Sequence, residues 1–308
     1  MNSRVLDTVV IGEETTAGTE AGSYNIALFG DIVQCSLNVE EDKRVINGLT
    51  GSHLPSKIVG LKVTPSGSIT FHPHNFQFMK YVISDYVEGS GTYTLANDTI
   101  VLPKSLSVKG TYDGSKGIRH LGAFLTNVKF GINDEDILTV TADILSLFCD
   151  VFTGSLTYTP SSNSPLTFSS VVMTFGGNEW DLQSLNLTYD SKLIQKYGLN
   201  NKSSGKIRFP SAIIRGSKAV ISFDGTVNVQ DITQELQTAW GGTSPQDYGV
   251  SNSTITLVFT DEVADTHTIT VSGQITRTEV LQSDSEENSK TMTFSGVGTD
   301  FSISGERP

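Results

Sequence analysis

Few residues in this chain have the types and spacing for chemistry. His72 and His74 flank Pro73 in "HPH", close enough to share a metal ion, yet no third His or Cys stands at ligand spacing. The pair sits where a strand pattern gives way to a helix pattern, so two structural histidines are the plainer reading. Acidic clusters occur at "EED" (Glu40–Asp42), "NDED" (Asn133–Asp136) and "SDSEEN" (Ser283–Asn288). Each has the charge to hold calcium weakly, but none has the alternating D-x-[DN]-x-[DN]-G pattern of a calcium loop. A hairpin tip kept soluble by charge explains them as well. Paired carboxylates for glycoside hydrolysis stay open, although Trp180 and Trp240 are the only tryptophans available to line a groove. There is no G-x-S-x-G, no Walker A, no H-E-x-x-H and no G-x-G-x-x-G between a strand and a helix. Cys35 and Cys149 are the only cysteines and form no C-x-x-C, which reads as two free core thiols. The expectation is no enzyme, no cofactor and no metal.

The elements around these residues are those of a β protein. "KAVISF", "STITLVF", "THTITVSGQI", "KTMTFSG" and "ILTVTADI" alternate apolar with Ser, Thr or charge, the period of half-buried strands. Turns such as "DG", "ND" and "NN" punctuate them. Two segments carry helix patterns. In "HNFQFMKYVISDYV" an apolar face joins Phe76, Met79, Ile83 and Tyr86, with Asn75 as N-cap. In "QDITQELQTAWGG" the stripe is Ile232, Leu236, Ala239 and Trp240, Asp231 and Gln234 have capping-box spacing, and Gly241 ends the helix.

The chain has 308 residues, room for two domains or one large one. It carries 21 basic and 33 acidic residues for a net charge of −12, split evenly between the halves. Such a surface repels phosphate and does not grip nucleic acid. No run approaches the ~18 apolar residues of a spanning helix. "MNSRVLDTVVIGEETTAGTE" lacks a signal-peptide pattern, which predicts a cytoplasm or a particle assembled in one.

The halves echo each other. "SLNV" (Ser36–Val39) matches "SLNL" (Ser184–Leu187), and "ITF" (Ile69–Phe71) matches "ISF" (Ile221–Phe223). "GAF" at Gly122 pairs loosely with "GQI" at Gly273, and "LTVTA" at Leu138 with "KTMTF" at Lys290. The order strand–strand–helix–strands is the signal. Two copies are too few for a solenoid. The reading is an all-β fold with minor helix: two tandem similar β-sandwich domains, 29–158 and 168–305, each with a flanking helix. "TPSSNSPLT" (Thr159–Thr167) forms the boundary. Residues 1–28, rich in Gly, Thr and Glu, read as an extended arm outside both copies.

On these residues the chain resembles the two-domain tail tube (major tail) proteins of long-tailed phages and related viruses. "GTEAGSYNIALFGDIVQCSLNVEEDKRVINGL" looks like the arm, first strand and acidic hairpin of that family. "VGLKVTPSGSITFHPHNF" looks like the next strand leading to the helix, and "HLGAFLTNVKFGINDEDILTVTADI" like the closing hairpin. "PLTFSSVVMTFGGNEWDLQSLNLTYDSKL" looks like the restart in the second copy, and Ser90–His120 fits least well.

The resemblance implies a virion structural protein whose rings stack into the hollow tail tube that conducts viral DNA. Two units per chain make three chains fill a six-fold ring. The implied partners are other copies of the chain and the tape-measure, terminator and baseplate proteins; DNA passes the lumen without specific binding. Candidate lumen or inter-ring residues are Glu40, Glu41, Asp42, Lys43, Arg44 and Asp190. The alternatives are another tail component of the same fold, such as a terminator or baseplate hub, or a secreted β-sandwich binding module.

Overall fold

The structure, a computed structural model, describes residues 6–24, 26–46, 57–89, 91–96, 101–133, 137–157, 163–198, 208–228, 253–282 and 290–306. Strands in chain order are β1 (Thr8–Glu13), β2 (Asp31–Ile46), β3 (Lys57–His72), β4 (Asp85–Glu88), β5 (Thr92–Ala96), β6 (Leu106–Thr111), β7 (Lys116–Asn133), β8 (Thr139–Leu145) and β9 (Phe148–Thr153). They continue with β10 (Val171–Phe175), β11 (Asn178–Asp190), β12 (Leu193–Lys196), β13 (Ala212–Arg215), β14 (Val220–Asn228), β15 (Ser253–Thr260), β16 (Thr266–Gln282) and β17 (Lys290–Glu306). The alternating runs become these strands, and in β8 every second residue is buried, as a two-residue side-chain period requires. The fold is all-β, and no described helix reaches seven residues.

Strand pairing, all antiparallel, repeats in the two halves. In the first, β1 pairs with β6, β6 with β7, β7 with β8, β8 with β3 and β3 with β2. In the second, β10 pairs with β15, β15 with β16, β16 with β17, β17 with β14 and β14 with β11. The second series closes on itself through β10 and β11, giving a six-stranded barrel without free internal edges. Among the described residues β1 and β2 do not pair, so the first ring stays open there. The halves are joined directly, by β7 to β11 and by β17 to β5. One hydrophobic core runs through both: Phe76 meets Phe130 from its own half and Phe259 from the other, edge to face at 6.0 and 5.4 Å.

Two expectations are corrected. The segment expected to be a helix from His74 to Val87 is a five-residue 3-10 turn, Gln77–Tyr81, and Tyr86 already lies in β4. The reason is burial on all sides. Phe76, Gln77, Phe78, Met79, Tyr81, Val82 and Ile83 are all buried, so the segment plugs the core instead of laying one stripe on a sheet. Asn75 does not cap a helix; its Oδ1 accepts the Gln77 amide at 2.9 Å and turns the chain. The segment "QDITQELQTAWGG" lies outside the described residues.

The arm is the second correction. Residues 8–13 form β1, paired along its length with β6, and Val10 and Ile11 are buried. The next residue, Glu14, is a buried carboxylate. It accepts the hydroxyls of Ser105 and Ser107 at 2.8 Å each, the Gly122 amide at 2.9 Å and the Gly18 amide at 2.9 Å. Five bonds to one carboxylate, four of them buried and counting both contacts of the Gly122 amide, tie this stretch into the first half. The Ser90–His120 segment contains β5 and β6. With β4, β5 forms an extra hairpin that extends the sheet of the second half at β17.

Candidate assembly surface

The acidic and basic candidates Glu40, Glu41, Asp42, Lys43 and Arg44 fall in the outer part of β2. Here β2 pairs with β3 alone, because β8 covers β3 only from Ser66 to Phe71. The result is a two-stranded ribbon whose residues 40–46 are all exposed. A bulge between Glu41 and Lys43 twists it. Glu41 binds the Arg208 guanidinium and, at 3.2 Å, the Lys43 ammonium. The Arg208 hydrogen bond, seconded by Lys43, lowers the Glu41 pKa. The ribbon base is braced by the second half: Val63 N–H donates to the Arg208 carbonyl at 2.9 Å, Gln195 Nε2 donates to the Pro65 carbonyl at 2.8 Å, and Tyr197 shares a 2.8 Å hydroxyl bond with Thr64. Arg208, Tyr197 and Gln195 carry no spacing signal in the sequence, since each acts across more than a hundred residues of chain.

Asp190 is not beside this cluster. It ends β11, accepts the Lys192 amide at 2.9 Å and pairs with the Lys192 ammonium at 2.6 Å. Its place in the fold is nevertheless that of Glu40. Val140 lies opposite Phe71 in one half, and Met292 lies opposite Val227 in the other. Phe71 faces Ile32 and Val227 faces Leu182, and a bulge follows both Ile32 and Leu182. Counting from those bulges, Glu40 opposite Thr64 matches Asp190 opposite Val220.

Beyond this shared position the hairpins diverge. β2 runs on to Ile46, whereas the second hairpin turns at Lys192, whose φ is +53°, and continues as the β12–β13 ribbon. That second ribbon is docked. Leu193 and Ile213 are buried against Phe124, with Leu145 and Leu147 beside them, all three from the first half. The first ribbon carries Val45 and Ile58 directly opposite each other, 50% and 63% exposed.

The remaining candidates are dispersed. His74 Nε2 lies 3.3 Å from Asp31, and His72 Nδ1 lies 3.3 Å from the Leu138 carbonyl, so the two rings turn to different partners. Among the described residues no three His, Cys, Asp or Glu side chains gather where they could hold a metal. Asp134–Asp136 and Ser283–Asn288 of the other acidic clusters lie outside the described residues, apart from β7-terminal Asn133. Cys35 and Cys149 are free and buried; burial pushes the Cys35 thiol up to about 12, and burial with nearby Asp150 pushes Cys149 to about 11. A groove of about 770 Å³ runs past Asp143, Asp190 and Lys192. Its charges are already engaged, Asp143 with Asn127 at 2.7 Å and Asp190 with Lys192. No described helix is long and apolar enough to cross a membrane. No protein-family model matches the chain, and no curated protein is similar to it at a significant level.

Proposed function

We propose that this chain is a structural protein of a virion. Three copies close into a ring of six similar units, and rings stack into the hollow tail tube that conducts viral DNA. One observation carries the reading: the same five strand pairings occur in each half, and the halves are already joined edge to edge by β7 and β11. A chain that contains two like units joined through β7 and β11 holds a segment of a ring. Repeating that junction from chain to chain gives a head-to-tail contact, which closes if the rotation divides a full turn. The net charge of −12 suits a conduit, because like charge keeps DNA from adhering as it passes. Glu40 and Asp190 stand at equivalent positions, so each would form a six-fold circle of carboxylates with the other. The exposed ribbon of β2 and β3, with mixed charge and the Val45–Ile58 pair, suits contact with an adjacent ring. Electron microscopy of the concentrated protein tests this: hollow rods of constant width built from three-chain rings are expected, and monodisperse globules overturn it.

A further inference from the structure

We infer which strand edges join one chain to the next: residues 35–39 of β2 pair antiparallel with residues 278–282 of β16 in a second copy, Leu37 standing opposite Val280. The inference deepens the ring reading, but it stands on pairings within the chain.

The internal junction is the template. On β11 it begins at Ser184, just past the bulge that follows Leu182, and runs to Tyr189. Its partner on β7 runs from Asn133 back to Val128, which lies within the irregularity between Thr126 and Lys129. The β2 cue recurs as a bulge between Ile32 and Gln34; β16 has an irregularity between Ile275 and Arg277, two residues farther from the junction than that of β7, so the register on this side is taken from the pairing with β17. Val280 faces Met292 as Phe130 faces Val140, which fixes β16 against β7. Transferring the register Leu187 opposite Phe130 then gives Leu37 opposite Val280, Asn38 opposite Glu279 and Val39 opposite Thr278.

Among the described residues both edges are open: β2 pairs only with β3, and past Gly273 the edge of β16 that holds β15 has no partner. An unpaired edge of this length invites another strand. Val39 reports the missing cover. It continues the inward phase of Cys35 and Leu37, which are buried, yet it is 45% exposed. Its counterpart Tyr189 is fully buried. The docked ribbon adds an independent sign. Leu145, which receives Leu193 and Ile213, corresponds to Val297, and Val297 is 45% exposed. The ribbon of the next chain, with exposed Val45 and Ile58, supplies the apolar cover that Val297 lacks.

The test mixes two single variants, Asn38→Cys and Glu279→Cys, whose side chains both point outward on exposed positions. Mild oxidation of the co-assembled mixture is expected to give a disulfide-linked dimer at twice the chain mass, and neither variant alone gives one. Replacing Glu279→Cys by Arg277→Cys shifts the partner two residues along the same face and is expected to lose the dimer, because a disulfide tolerates little added separation. Lys129→Cys with Thr188→Cys in one chain is the internal reference and closes without forming dimer. A stronger dimer from the shifted pair, or none from the matched pair in assembled particles, overturns the register. In the unmodified protein, those amides of residues 35–39 and 278–282 that face away from β3 and β17 exchange rapidly in dilute chains and slowly in particles; unchanged exchange overturns it too, as does a chain that stays monomeric at millimolar concentration. Dimers of the matched pair without hollow rods overturn the tube reading and leave this junction standing. Rods with links elsewhere do the reverse.

Discussion

Phe76 and Phe259 meet edge to face with ring centroids 5.4 Å apart, and they come from opposite halves of the chain. Both are buried, and the Phe76 amide donates to the Tyr93 hydroxyl at 3.0 Å, which in turn lies 3.2 Å from His267 Nδ1. This junction lies at the centre of the core, so neither half is complete without the other. Phe76→Ala removes a buried aromatic ring and costs about 3–5 kcal/mol. Urea unfolding followed by tryptophan fluorescence and by circular dichroism is expected to shift as one transition. Two separated transitions, with only one moved, would show halves that fold apart.

Glu14 anchors the segment from β1 to the start of β2. Glu14→Ala strands the Ser105 and Ser107 hydroxyls and the Gly18 and Gly122 amides in a buried place, at about 1–3 kcal/mol for each group left unsatisfied. Expected is a loss of several degrees in Tm at the least. Deletion of residues 2–27 goes further, since it removes β1 and bares the edge of β6. A truncated protein that still melts cooperatively would show β1 to be dispensable.

Much of this was legible in the sequence, and the rest fails for identifiable reasons. The strands and the duplication follow from alternation and order. The phase of the duplication does not: "SLNV" against "SLNL" places Ser36 with Ser184, whereas the bulges place Ser36 with Asn186, two residues on. "ITF" against "ISF" is off by four. Side chains repeat every two residues in a strand, so an even slip preserves the inward and outward pattern and leaves no trace in it. The plug at Phe76–Ile83 was concealed because its apolar face fits a helix stripe while Phe78, Tyr81 and Val82 between those positions are apolar too. β1 was hidden by its Gly- and Thr-rich neighbours, although "VVI" at Val9–Ile11 was its one sign. The exposed charges Glu40–Arg44 were readable as surface. Their brace at Arg208 was not, because no local pattern records a contact so far along the chain.

Acid should weaken the fold once pH falls below the ordinary histidine range. Burial lowers the His120 pKa to about 4, and among the described residues the His120 ring bonds only through Nδ1, to Ser146 at 3.0 Å. His267 is also lowered, by burial, against the opposing pull of Asp261. A histidine lowered in the folded state is protonated first in the unfolded chain, so its stabilisation is complete above about pH 6.5 and lost as pH falls toward 4. For His120 the span is on the order of 3 kcal/mol. Denaturation midpoints measured from pH 7 to pH 4 should fall steadily, and His120→Gln should flatten that slope. The lowered carboxyls Glu13 and Glu20 act on the acid side of their ordinary value of 4.5, and the variant leaves their contribution in place.

Both thiols should be silent in the folded protein. Cys35 and Cys149 are buried with raised pKa values, so at pH 8 neither is a thiolate nor within reach of a reagent. An aromatic disulfide reagent is expected to count none before urea and two after it. Cys35→Ala with Cys149→Ala should cost about 1–3 kcal/mol and leave assembly intact. A thiol that reacts at once in the native protein would place that strand at a mobile edge.

The outer ribbon of β2 and β3 gives the last prediction, and salt decides it. Lys43 and Glu41 are paired on an exposed surface, and Arg208 holds Glu41 from the second half, so this ribbon presents ordered charge of both signs. Exposed ion pairs add little to folding, so reversing them changes stability little. Contacts between rings multiply the same small energy by the number of chains, and a weak term then controls length. Lys43→Glu with Arg44→Glu is therefore expected to leave the thermal melt within a degree or two while shortening the assembled particles. The shortening should be marked at ~0.01 M salt, where charges act over about 30 Å, and slight at ~1 M, where they act over about 3 Å. Particle length by microscopy, paired with melts at both salts, separates the outcomes. Equal shortening at both salts would assign the contact to Val45 and Ile58 instead, and a large fall in melting temperature would place Lys43 and Arg44 in the fold itself.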